Sequence, residues 1–211
     1  LRRRVLLIVP GGFSLDDMEE TYGAINIEVK PIMGVPSLAE DAYGLAQIAS
    51  KILNVLKGMS KIYDAIVISC FEDLGLDLPK RLGVPVIGLG EASIISGALH
   101  GRRFSVLVPN QYIASLLYRR ILERGLAPAL ASIRVVKPSN RDLFSALLLE
   151  SKRAVEEDGA QAIVLGHPAW RRYSEELRES MGIPIIEPLS TALSLLEAIL
   201  RRKGGGECLI R

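Results

Sequence analysis

Cysteine and histidine each occur only twice in the 211 residues, and aromatic side chains make up 5%. Two cysteines, Cys70 and Cys208, are too few for a disulfide scaffold, so a reducing, cytoplasmic setting is expected. Neither sign of charge dominates: 26 Lys and Arg against 24 Asp and Glu leave +2. That balance gives no basis for nucleic-acid or anionic-membrane partners. Arg2, Arg3 and Arg4 precede the apolar run Val5 to Val9, as in a signal peptide, but the run stops at Pro10-Gly11-Gly12 and acidic Asp16, Asp17, Glu19 and Glu20 follow. Neither export nor membrane anchoring is therefore expected. Glycine-rich phosphate loops are also missing. No Gly-x-Gly-x-x-Gly follows the first strand, Gly88-Leu89-Gly90-Glu91 lacks the third glycine, and there is no P-loop. A single cysteine set against a single histidine does not make a metal site, so no metal is expected.

What is present is apolar. Hydrophobic residues are 49% of the chain, enough for a sizeable core in one compact domain or two fused lobes. Arg supplies 18 of the 26 cations, a weak marker of a thermophilic source. Short Val/Ile runs predict strands over 4–9, 25–32, 64–69, 84–88, 103–108, 131–136, 161–166 and 183–186. Amphipathic stretches predict helices over 37–57, 73–82, 90–99, 110–125, 139–158, 171–181 and 189–203. Ser37 with Glu40 and, further on, Asn140 read as helix starts, and His100 beside Gly101 as a helix end. Alternation of this kind specifies an α/β fold with mainly parallel sheets flanked by helices.

The chain also repeats itself. Asp64-Ala65-Ile66-Val67-Ile68-Ser69-Cys70 has a counterpart in Gln161-Ala162-Ile163-Val164-Leu165-Gly166-His167, and Gly83-Val84-Pro85-Val86-Ile87 in Gly182-Ile183-Pro184-Ile185-Ile186. Val5 to Pro10 likewise matches Phe104 to Pro109, and all the matches keep an offset of 97 to 99 residues. A duplicated α/β unit predicts two pseudo-symmetric lobes facing each other across a cleft. The first spans 1–98, completed by the C-terminal helix 189–203; the second spans 99–188, and 204–211 is a flexible tail carrying Cys208. The apolar Leu143, Leu147 and Leu148 suit a homo-oligomer contact as well as a core.

Ligands of such sheets sit beyond the carboxyl ends of the strands. Those ends offer Gly12 and Ser14, Pro36 and Ser37, Phe71 and Glu72, Asn110 and Gln111, Ser139, and Pro168 as substrate contacts. Cys70 and His167 hold the same place in the two copies, one on each wall. A thiol of ordinary pKa about 8.5 and an imidazole of about 6.5 are both suited to moving a proton near neutrality. Together they could take a proton from one face of a carbon and return it to the other. A helix N-terminus after Cys70 is expected to favour the thiolate. Backbone N–H groups and the hydroxyls of Ser14, Ser37 and Ser139 are expected to bind a carboxylate or enolate.

Several of these segments carry a resemblance. Gly34-Val35-Pro36-Ser37-Leu38-Ala39-Glu40, Ala65 to Asp77 around Cys70, Val86-Ile87-Gly88-Leu89-Gly90-Glu91-Ala92, Ala162 to Gly166 and Ile183 to Glu187 resemble motifs of the aspartate/glutamate/hydantoin racemase superfamily, most of all its hydantoin racemase branch. The resemblance implies two flavodoxin-like lobes, no cofactor, and a pair of cysteines as acid and base across the substrate. Cys70 matches the first, whereas His167 stands at the second. Pro10-Gly11-Gly12-Phe13-Ser14 also departs from the usual Asn-Pro-Asn-Thr/Ser. The leading expectation is a cofactor-independent racemase or epimerase acting on an amino acid, hydantoin or dicarboxylate through Cys70 and His167. A decarboxylase or cis-trans isomerase of the same superfamily, or a non-catalytic module binding small carboxylates, are the alternatives.

Overall fold

A computed structural model describes residues 2–11, 21–57, 59, 62–73, 83–138 and 142–202. The first sheet contains β1 (Arg3–Pro10), β2 (Thr21–Tyr22), β3 (Ile25–Ile32), β4 (Ala65–Ile68) and β5 (Val86–Gly88) in the order β2-β3-β1-β4-β5. All its pairings are parallel except the short β2–β3 hairpin. The second contains β6 (Phe104–Val108), β7 (Leu130–Val135), β8 (Ala162–Leu165) and β9 (Ile185–Ile186) in the order β7-β6-β8-β9, all parallel. Leaving the hairpin strand aside, each lobe places its second strand outside its first, followed by its third and fourth.

The repeat is visible bond by bond. Asp64 N–H donates to the Arg4 carbonyl at 2.8 Å, and Gln161 N–H to that of Arg103 at 2.8 Å. Ile66 N–H reaches Pro85 O at 3.0 Å, as Ile163 N–H reaches Pro184 O at 2.9 Å. Ser69 N–H reaches Ile8 O at 2.8 Å, as Gly166 N–H reaches Leu107 O at 2.7 Å. These pairs keep the offsets of the sequence repeat, so a single backbone plan was laid down twice.

Helices α1 (Ala42–Leu56), α2 (Leu89–His100), α3 (Gln111–Glu123), α4 (Leu143–Glu156), α5 (Ser174–Met181) and α6 (Pro188–Arg202) cover the sheets. Among them α1 starts later than its Ser37/Glu40 signal implies. Asp41 is the cap, its Oδ1 accepting Gly44 N–H at 2.8 Å, which leaves 37–41 as a connecting loop. Likewise Asp142 caps α4, and a 3₁₀ turn over Pro168–Tyr173 precedes a shorter α5. The end of α2 agrees with its signal: the His100 ring bonds the Ser96 carbonyl at 2.8 Å. Residues 74–82 of the helix expected over 73–82, the Asn140 start signal and the 204–211 tail with Cys208 lie outside the described residues.

Strand alternation distributes the core. Val106, Val108, Ala162 and Val164 face a cluster that also holds Val5 to Val9, Ile66, Ile68 and, from α6, Leu189, Leu193 and Leu196. Their neighbours Leu107, Ile163 and Leu165 face the opposite side, with Leu147, Trp170 and Leu177. One hydrophobic cluster therefore spans both sheets. Helix α6 packs on α2, β4 and β5. Leu147 is fully buried, and Leu143 and Leu148 pack against the second cluster, so these three serve the core. Among the described residues, no helix is long and apolar enough to cross a membrane.

At position 166 glycine is obligatory, because a Cβ would lie 2.2 Å from the Leu107 carbonyl oxygen that Gly166 N–H must reach. Gly166→Ala is expected to lose about 2–3 kcal/mol of stability in urea denaturation. Ser69→Ala at the equivalent position removes a buried hydroxyl with no partner among the described residues, and is expected to leave stability unchanged or raise it.

Candidate active site

The end of β4 delivers Cys70, which is 6% exposed, into a turn in which Asp73 N–H donates to the Cys70 carbonyl at 3.2 Å. Asp73 has φ +52°, and its Oδ1 accepts Gly90 N–H at 3.0 Å, tying this turn to the first turn of α2. The end of β8 delivers His167 into the matching turn, where Trp170 N–H donates to the His167 carbonyl at 3.1 Å. Gly11 brings a third chain segment in. At its φ of +74° a Cβ would lie 2.2 Å from Ser37 Cα, so only glycine lets the Ser37 loop close over the end of β1.

A narrow recess is lined by Pro10, Ser37, Ile48, Ser69, Cys70, Phe71, Glu72, His167 and Pro168. Of the residues expected from sequence, it unites Cys70, His167, Ser37, Phe71, Glu72 and Pro168. Pro36, Asn110 and Gln111 do not line it. Asn110 uses its amide elsewhere: Oδ1 caps α3 through Ile113 N–H at 2.8 Å, and Nδ2 donates to the Ala39 carbonyl at 3.0 Å. Gln111 is exposed on the first turn of α3, and Pro36 sits beside Gly44 at the start of α1. Gly12, Ser14 and Ser139 lie outside the described residues. Pro10, from the strand-end segment Pro10-Gly11-Gly12, joins the recess too, as do Ile48 and Ser69, which are not among the expected contacts. Ile48 carries no signal beyond its place on the buried face of α1, whereas Ser69 could have been found as the residue preceding the thiol.

The two central side chains are paired in opposite senses. Cys70 Sγ donates to Glu72 Oε2 at 2.8 Å. Burial first, then the charge and hydrogen bond of Glu72, push the thiol pKa well above its ordinary value. The expected thiolate at a helix N-terminus is thus corrected: Cys70 rests as a thiol, held by a carboxylate. Across the recess, His167 Nδ1 accepts Ala169 N–H at 3.2 Å, which assigns the proton of the neutral ring to Nε2. Burial pushes the imidazolium pKa down to about 4, so the ring is neutral near pH 7. Its ring centroid lies 5.8 Å from that of Trp170, the two planes tilted by 43°. Among the described residues, no group of three or more His, Cys, Asp or Glu side chains is arranged to hold a metal ion.

Known proteins resemble this chain in sequence and in fold. A family model described as Asp/Glu/Hydantoin racemase matches residues 21–196. The hydantoin racemase of Pseudomonas sp. (strain NS671) is 29% identical over 182 residues, spanning 82% of this chain and 73% of that protein. The allantoin racemase from Klebsiella pneumoniae superposes with a TM-score of 0.84 at 23% identity, over 95% of this chain and 89% of that one. Arylmalonate decarboxylase superposes with a TM-score of 0.65 at 16% identity, over 97% and 94%. These structural likenesses establish a shared two-lobed fold.

Two buried groups make stability depend on pH in opposite directions. Unfolded, His167 binds a proton below about pH 6.5, whereas the folded ring resists it down to about 4. Its contribution is therefore full above about 6.5 and lost as pH falls. Asp73 behaves conversely. Burial, opposed by Arg120, raises its pKa to about 7, against about 3.9 unfolded, so its contribution declines as pH rises between those values. Relative to the unsubstituted chain, His167→Asn is expected to make stability fall with pH between about 4.5 and 6.5, and Asp73→Asn to make it rise. Urea titrations giving one slope for all three proteins would refute both assignments.

Proposed function

This chain belongs to the Asp/Glu/hydantoin racemase family and is an isomerase of racemase type, and from that premise we propose that it inverts a carbon flanked by a carbonyl, in a hydantoin-type ring or an amino-acid carboxylate, without a cofactor. The observation that carries this reading is the pairing of Cys70 and His167, matched in the repeat and lining one recess. A proton leaves the α-carbon toward one wall and returns from the other, through a planar enolate. In the resting state both groups are neutral and carry a proton, Cys70 on sulfur, where it is directed at Glu72, and His167 on Nε2. Abstraction on the Cys70 side therefore begins with release of the thiol proton, and return on the His167 side draws on a neutral imidazole N–H. Neutral imidazole is a weak acid, so His167 holds its N–H on the developing enolate and gives up that proton late; the imidazolate left behind regains a proton from solvent as the Cys70 wall loses the one it took. The reverse direction retraces these steps. Ser37, Phe71, Glu72 and Pro168 shape the recess around the substrate, and Ser69 supplies a further hydroxyl.

One observation favours a second reading. A resting thiol beside a neutral histidine also suits decarboxylation of a malonate-type acid, in which carbon dioxide leaves and Cys70 protonates the enolate that remains. Incubation with hydantoins and amino acids in deuterium oxide separates the two. Racemisation loads deuterium at the α-carbon with loss of optical rotation, whereas decarboxylation releases carbon dioxide from malonates and leaves hydantoins untouched. Cys70→Ala is expected to slow α-exchange by more than about 100-fold, and His167→Ala to slow inversion more than exchange. Exchange that survives Cys70→Ala would remove the thiol from the reaction.

A further inference from the structure

The 2.8 Å contact between Cys70 Sγ and Glu72 Oε2 has a chemical consequence beyond substrate binding. A thiol cannot accept a proton from carbon until its own has gone, and the bond shows where that proton points. We propose that Glu72 is the proton acceptor behind Cys70, forming a relay in which sulfur receives the substrate proton as the carboxylate receives the sulfur's. The inference rests on the racemase-type reading of the same recess.

The step balances. The substrate C–H bond and the Cys70 S–H bond break; a new S–H bond and a Glu72 O–H bond form. The negative charge that Glu72 gives up appears on the enolate, so the net charge of the buried site is unchanged. That matters at a residue 6% exposed, where a free thiolate would be a buried anion facing a half-buried carboxylate. Asp73, the other carboxylate near the sulfur, cannot take this part. Its Oδ1 holds Gly90 N–H at 3.0 Å, and its place in the turn directs it to α2. The repeat supplies an internal comparison. Two residues beyond His167 stands Ala169, which offers a backbone N–H to the imidazole and has no group able to accept its proton.

Two measurements on the full chain test this, both in a Cys208→Ser background so that one thiol reports. The first is the pH profile of Cys70 alkylation by iodoacetamide, which needs no substrate. In Glu72→Gln the thiol loses a neighbouring negative charge and its acceptor, so the profile is expected to move about one pH unit lower or more. The second is α-deuterium exchange of hydantoins, expected to fall about 100-fold in Glu72→Gln and to recover in large part in Glu72→Asp. More thiolate with less turnover is the signature of a relay. A Glu72→Gln protein whose exchange is unchanged or faster while its thiol alkylates more readily would overturn the proposal, since Glu72 would then only restrain the sulfur. An unshifted alkylation profile would overturn it by removing the pairing. If the unsubstituted chain exchanges no hydantoin or amino acid, the reaction class fails, and the alkylation profile alone decides whether Glu72 holds the Cys70 proton.

Discussion

Two backbone hydrogen bonds, Ser69 N–H to Ile8 O and Gly166 N–H to Leu107 O, form the last rungs before the chain leaves each sheet. Each lies immediately before a recess side chain and sets where that side chain stands. The turns that follow are pinned alike, by Asp73 N–H on the Cys70 carbonyl and Trp170 N–H on the His167 carbonyl. Two side chains at equivalent places around one recess are thus a product of backbone duplication, and the side chains beyond it carry the differences.

Those differences are concentrated two residues further on. In the first lobe that position carries a carboxylate, which accepts from the thiol; in the second it presents a backbone N–H, which donates to the imidazole. A pseudo-symmetric frame therefore holds two proton donors of unlike strength. Glycine is also distributed by lobe. Gly166 must lack a side chain to let its rung form, whereas position 69 tolerates serine and keeps a buried hydroxyl next to Cys70 in the chain.

Much of this was legible in the residues. Parallel strands covered on both faces are Val/Ile-rich, and the offset of the repeat located the equivalence of Cys70 and His167 before any contact was visible. Helix starts were less legible, because Ser37 and Asp41 are both competent caps and only the close approach of Ser37 to Gly11 decides between them. The protonation of Cys70 was misread for a related reason. A helix N-terminus is recognisable as a pattern, while burial and the direction in which Glu72 folds back depend on the turn. Asn110 illustrates the same limit: a polar residue at a strand end looks like a ligand contact until its amide is found capping α3 and bridging to Ala39.

The aliphatic cluster that runs from β1 and β4 through α6 to one face of β6 and β8 has a mechanical meaning for the recess. Spreading the walls would bring buried Val, Ile and Leu side chains into water, at about 1.5–3 kcal/mol for each one fully exposed. The two walls of the recess are therefore braced by one and the same core, so a side chain truncated in that cluster would loosen both of them together.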